Sequence, residues 1–226
     1  MSTQSSRLAP VGSAKTGRCA ACRLRSDCCI CDLTPTLMLT TKVVLVAPVG
    51  ELSKPSNTGR LVHASLPNSE LLMYGLPHQP ISFSSIDPSV SVQLFPGPNS
   101  QVLTSESIAR LPHPLTLVVP DGTWSQARRI SQRITSDLRL PHVTLENTPE
   151  SRYLLRRNRR SGGVCTIEAV AMALGLLEGP EVSRTLMSFF SALVIRTLWS
   201  RETVEPFPGE DKARERLQID PISALI

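Results

Sequence analysis

Leu115-Thr116-Leu117-Val118-Val119-Pro120-Asp121-Gly122-Thr123-Trp124-Ser125-Gln126-Ala127-Arg128-Arg129-Ile130 carries the reading of the fold. Residues 115–119 are an apolar run rich in β-branched side chains, which suits a strand buried on both faces. An Asp-Gly turn follows. Trp124, Ala127, Ile130 and Ile134 then recur at spacings of three and four, the stripe of an amphipathic helix. A strand feeding a helix through a tight turn is the repeating element of a parallel sheet, and ligands of such sheets bind where the strands end.

Working outward, four more runs read as buried strands: 42–47, 70–74, 90–95 and 142–145, each short and closed by Pro, Gly or Asn. Helical periods flank them. Residues 58–66 follow Pro55 and the capping pair Ser56-Asn57; Ile167, Val170, Ala171 and Leu174 share a face. Val182, Leu186, Phe189, Phe190 and Leu193 do the same after Gly179-Pro180, and 210–217 is a charged, exposed final helix. The expectation is an α/β domain with a mostly parallel sheet and helices on both faces.

The chain has 226 residues, 41% hydrophobic and 19% charged, an ordinary globular balance. No apolar stretch approaches the roughly 20 residues of a membrane span, so a soluble, cytoplasmic protein is expected. Net charge is +5. Arg7, Lys15, Arg18, Arg23 and Arg25 precede the first acid, Asp27, so the remaining 200 residues are formally neutral. Their basic surface must come from clustering. Arg152, Arg156, Arg157, Arg159 and Arg160 form such a cluster, either a solvated face or a polyanion-binding patch. Residues 1–17 read as a flexible basic tail, also compatible with a transit peptide.

Five of the six cysteines lie between 19 and 31. Cys19 and Cys22 form one ligand pair, Cys29 and Cys31 a second, and clustered thiols without a secretory signal argue for metal rather than disulfides. Structural zinc in a segment 18–34 is the first reading and an iron–sulfur cluster the second. By spacing alone Cys28 can replace Cys29. Lone Cys165 reads as a small buried side chain.

Two further clusters are candidates for chemistry. Asp121-Gly122-Thr123-Trp124 sits at a strand's end, where Asp121 is either a helix N-cap or a functional carboxylate. Ser161-Gly162-Gly163-Val164-Cys165-Thr166-Ile167-Glu168 combines a glycine loop with a helix start whose free amides suit an acidic group. The sequence holds no G-x-G-x-x-G, no P-loop and no H-E-x-x-H, which removes the usual supports for a Rossmann dinucleotide site, an NTPase and a zinc protease.

Taken in order, Cys19-x2-Cys22-x6-Cys29-x-Cys31, Lys54-Pro55-Ser56-Asn57-Thr58-Gly59-Arg60-Leu61, Asp121-Gly122-Thr123-Trp124 with Ala127-Arg128, and Thr166-x-Glu168-Ala169 resemble the DTW-domain family of tRNA-uridine aminocarboxypropyltransferases. The likeness runs from about residue 18 to about residue 200, with Cys165 standing where the family pattern has Ser. It implies a SPOUT-like fold over 35–226, whose C-terminal half can be knotted. It also implies transfer of the 3-amino-3-carboxypropyl group of S-adenosylmethionine to N3 of a uridine in tRNA, releasing methylthioadenosine. On that reading Asp121 is the base, with Thr123 and Trp124 beside it. Asp121, Gly122, Thr123, Ser161, Gly162, Gly163, Thr166 and Glu168 hold the cofactor, Glu168 meeting its ammonium. Arg152, Arg156, Arg157, Arg159 and Arg160 take tRNA phosphates, and Trp124 and Tyr153 stack on an extruded base. A SPOUT-type methyltransferase and a non-catalytic zinc-bearing RNA binder are the rival readings.

Overall fold

The computed structural model describes residues 17–97, 99–155 and 163–218. Six strands form one sheet: β1 (Lys42–Pro48), β2 (Glu70–Tyr74), β3 (Ser91–Leu94), β4 (Gln101–Val102), β5 (Thr116–Pro120) and β6 (His142–Thr144). Their order is β2-β1-β5-β3-β6-β4, with every pairing parallel. The five expected strands are present within a residue or so of their ends. The sixth, β4, has two residues, too few to leave a periodic signal.

The helices are α1 (Val49–Leu52), α2 (Gly59–Ser65), α3 (Ser105–Ile108), α4 (Trp124–Leu138), α5 (Thr166–Leu177), α6 (Pro180–Glu202) and α7 (Glu210–Leu217). Alternation along β1 sends side chains to two cores. Val43 and Leu45 pack in one with α2, α5 and α6, while Val44 and Val46 meet Val118 and the Ile130 and Ile134 face of α4 in the other. Residues 43–47 are fully buried, and each Val or Leu among them contributes about 1.5–3 kcal/mol. Helices thus cover both faces of the sheet, as the continuous apolar runs required.

Local sequence sets the boundaries. Thr123 caps α4 in a reciprocal box with Gln126, and Arg139 ends the helix in the left-handed region (φ 54°). Gly179 (φ +115°) and Pro180 start α6. Helix α7 is less exposed than its charge suggests: Ala213 is fully buried against α6, and Arg196 pairs with Glu210. Among the described residues no helix is long and apolar enough to cross a membrane.

Candidate active site

A cavity of about 230 Å³ opens at the carboxyl ends of β3, β5 and β6. Leu94, Pro120 and Thr144 form its floor, Phe95 and Trp124 one wall, and Thr166 and Ala169 of α5 another. The Phe95 and Trp124 rings sit 5.7 Å apart, tilted by 57°. Trp124 reaches this wall because it opens α4 two residues after Gly122, whose φ of +127° makes the turn one that only glycine adopts without strain. The lining is apolar with a few hydroxyls, and among the described residues no charged side chain lines it. Thr144, Leu145 and Thr148 belong to this lining, as do Phe95 and Pro96, and the motifs did not point to them. Their positions at or just past the ends of β3 and β6 were the available signal.

Asp121 lies behind this wall, 3% exposed. It is not the helix cap, because Thr123 holds that position, its hydroxyl donating to Gln126 Oε1 at 2.7 Å. The Asp121 amide instead extends the β1–β5 ladder, donating to Val46 O at 2.8 Å. Its carboxylate is held from two sides. Asn57 Nδ2 donates to Oδ2 at 2.7 Å, and Thr166 Oγ1 donates to Oδ1 at 2.5 Å. Gly59 lets α2 approach, since a Cβ there would stand 2.6 Å from Asp121 Oδ2. Three motifs distant in sequence therefore converge on one carboxylate. Thr166, the first residue of α5 rather than its cap, has its hydroxyl on this acid and also lines the cavity.

Glu168 is likewise buried, at 3% exposure. It accepts hydrogen bonds from Ser151 Oγ, the Arg152 amide and the Cys165 amide, each at 2.7 Å. Those three donors tie the 151–152 segment to the start of α5, and the ammonium contact expected of Glu168 is not what these surroundings favour. Gly163 is buried just before that start, and Arg152 is half-buried. Tyr153 corrects a second expectation. Its ring is 5% exposed and packs 5.6 Å from the Phe190 ring, while its hydroxyl donates to Ser56 O, so it is a core residue and not a stacking platform. Arg156, Arg157, Arg159, Arg160, Ser161 and Gly162 lie outside the described residues. Cys165 is buried at the cavity edge, and burial pushes its thiol well above the ordinary value, away from nucleophilic use.

The cysteine segment is built as two short loops. An Arg18–Arg25 bridge and the Arg23 amide on Cys19 O close the first; 3-10 turns at Ser26–Cys28 and Cys31–Leu33 shape the second. The Sγ atoms of Cys19, Cys22, Cys29 and Cys31 all lie within 4.8 Å of one another, with Cys19–Cys31 at 3.6 Å and Cys22–Cys29 at 3.7 Å. A tetrahedral thiolate site with bonds of about 2.3 Å has S···S edges of about 3.8 Å, so the four can hold a metal ion. Cys28, the spacing alternative, points into the hydrophobic core and is fully buried. Burial tends to raise the Cys19 thiol, but the Cys22 and Ala21 amides directed at it prevail and bring it down to about 7, whereas burial lifts Cys22 to about 11. Leu24, Cys28 and Ile30 share the core of α2, α5 and α6, which fixes the segment to the sheet domain.

The sequence profile of the DTW domain matches residues 16–198. Over 193 residues the chain is 26% identical to tRNA-uridine aminocarboxypropyltransferase 2 of Macaca fascicularis, covering 81% of this chain and 65% of that protein. It is 25% identical over 182 residues to the Drosophila melanogaster protein of the same name, covering 76% of this chain and 72% of the relative. It is also 26% identical over 208 residues to tRNA-uridine aminocarboxypropyltransferase A of Arabidopsis thaliana, covering 78% and 79%. The chain spans 65% of the length of the Macaca fascicularis protein and 61% of the Mus musculus protein of the same name. No solved structure matches it significantly. With the profile match running through the cysteine segment, the Asp121 turn and the start of α5, the chain belongs to the DTW domain family.

Proposed function

We propose that this chain transfers the 3-amino-3-carboxypropyl group of S-adenosylmethionine to N3 of a uridine in tRNA, giving 3-(3-amino-3-carboxypropyl)uridine and methylthioadenosine. The observation that carries the reading is the buried Asp121 carboxylate joined through Thr166 to an apolar cavity at the sheet's carboxyl edge, in a chain whose relatives bear that name. The fold is assigned as SPOUT-like, the four-cysteine site as structural zinc, and the 18–34 segment and 35–226 as zinc-bearing and catalytic parts.

When bound, S-adenosylmethionine supplies a sulfonium whose γ-carbon accepts a nucleophile as its bond to sulfur breaks. The apolar wall of Phe95, Trp124 and Leu145 suits its nucleoside end, and the amides around Gly163 and Thr166 suit its carboxylate. Uridine N3 carries a proton at neutral pH and must lose it as the N–C bond forms. The Thr166 hydroxyl faces that need: it accepts the N3 proton while its own passes to Asp121 Oδ1. Asp121 thus serves as base through Thr166. Choosing the γ-carbon over the less hindered methyl is a matter of holding N3 in line at about 3–3.5 Å. Glu168 serves by fixing the start of α5, and Thr123 by capping α4 so that Trp124 holds its wall. Arg152, Arg156, Arg157, Arg159 and Arg160, with the exposed Arg128 and Arg129 of α4 near the cavity, carry tRNA phosphates.

The by-product tests this reading. Incubation with tRNA and S-adenosylmethionine is expected to release methylthioadenosine. S-adenosylhomocysteine would instead mean methyl transfer, and an absence of cofactor binding in a calorimetric titration would mean a binder without catalysis.

A further inference from the structure

The 54–61 motif has no step of its own in the reaction, and its contacts run in two directions. Toward the cysteine loops, the Arg60 guanidinium donates to Ala21 O at 2.8 Å and Cys22 O at 3.1 Å, the carbonyls of the first ligand pair's loop. Toward the sheet, the Arg60 amide donates to Asn57 Oδ1 at 2.8 Å, and Asn57 Nδ2 donates to Asp121 Oδ2 at 2.7 Å. Asn57 is 6% exposed, and Arg60 Nε is buried with no protein partner. We propose that Asn57 and Arg60 are positioning residues that suspend the Asp121 carboxylate from the metal-binding loops, through one unbroken chain of hydrogen bonds from Ala21 and Cys22 to Asp121.

The contacts explain why this link responds to metal. The Arg60 guanidinium lies against the loop of the first ligand pair, while Arg196 donates to Cys29 O in the second. If the metal leaves, nothing holds Cys19 and Cys22 against Cys29 and Cys31, and the Ala21 and Cys22 carbonyls that Arg60 meets lose their fixed place. Arg60 then loses its two fixed acceptors, which loosens the start of α2 and with it Asn57. At the other end, the side chains held against Asp121 are Asn57 of the 54–61 motif and Thr166 of α5, with Gly59 packed beside it; none of these titrates.

The catalytic meaning rests on the proposed transfer reaction, so the test has one arm that needs no turnover. In the full-length protein loaded with zinc chloride, backbone hydrogen exchange at residues 57–60 is measured before and after removal of zinc by a chelator. Exchange there is expected to quicken about tenfold or more on removal, and also in zinc-loaded Arg60→Met, which keeps the apolar stem and removes every donor to the two carbonyls. The second arm is Asn57→Asp, which keeps the acceptor for the Arg60 amide and replaces only the donor to Asp121. The two carboxylates then share a proton. Between pH 6 and pH 9 the variant's own transfer rate is expected to fall about tenfold or more, as loss of the shared proton leaves two carboxylates that repel. Exchange that ignores the metal overturns the link to the loops. A variant profile parallel to the parent's overturns the role of Asn57. A parent that performs no transfer defeats the reaction and leaves the exchange arm to decide the strut.

Discussion

Asp121→Asn separates a chemical role for this carboxylate from a structural one. Asp121 accepts two hydrogen bonds, from Asn57 Nδ2 and Thr166 Oγ1. An asparagine can keep both: its carbonyl oxygen accepts from Asn57, and its amide donates to the Thr166 oxygen. Exchanging two bonds to a carboxylate for two neutral ones costs about 1 kcal/mol each, and removing a buried charge returns much of that. The net loss is about 1 kcal/mol, a fall in Tm of roughly 2–4 °C for a chain of this size. The chemistry changes more. The Thr166 hydroxyl, whose proton points at the acid in the parent, must now turn it toward the cavity, so it donates where it should accept. With the base gone, transfer is expected to fall about 10²–10⁴-fold. The assay pairs a thermal melt with single-turnover formation of methylthioadenosine. A variant that melts within the stated window yet turns over within about threefold of the parent refutes the role given to Asp121 and Thr166.

The remaining expectations concern packing and charge. Gly59→Ala places a Cβ 2.6 Å from Asp121 Oδ2 and should cost about 1–3 kcal/mol in a urea melt, with transfer lost as the carboxylate is displaced; an unchanged melt contradicts the close approach. Cys29→Ser should abolish stoichiometric zinc binding measured by a chromogenic chelator, whereas Cys28→Ser should retain it and lose stability, because its thiol is fully buried in the core. Tyr153→Phe removes the bond to Ser56 O and should lower stability by about 0.5–1.5 kcal/mol while leaving tRNA affinity intact; weakened tRNA binding in a folded variant would restore it as a contact. Asp27 is held below its ordinary 3.8 chiefly by the Arg25 guanidinium, and it also accepts the Phe207 amide. Its folded value is depressed, so the stability it adds is present above about pH 4 and lost as pH falls through the folded value. Hydrogen exchange at Phe207 should therefore rise in that acid window and, in Asp27→Asn, be fast at all pH.

The sheet was legible because five of its strands are apolar runs long enough to carry a pattern, while β4 at Gln101–Val102 and the four-residue helices α1 and α3 are shorter than one period. The four ligand-capable cysteines could be paired from spacing, but choosing between Cys28 and Cys29 required knowing which side chain faces the core, a property of the Ser26–Cys28 turn. Asp121 was visible as a strand-end acid. Its cap reading failed because Thr123, two residues on, makes the reciprocal box with Gln126, and the acid faces Asn57 and Thr166 instead. Asn57, Gly59 and Thr166 could not be joined to Asp121 from sequence, since they approach it from 64, 62 and 45 residues away. Tyr153 was misassigned because an aromatic beside an arginine run looks exposed, whereas its neighbour Phe190 lies on α6.

Mass analysis of nucleosides from tRNA incubated with the full-length protein and S-adenosylmethionine addresses the central claim most directly. The account requires a uridine that gains one 3-amino-3-carboxypropyl group at N3, with an equal amount of methylthioadenosine and loss of both in Asp121→Asn. A methylated uridine with S-adenosylhomocysteine, or unmodified tRNA from folded, zinc-loaded protein, would contradict it.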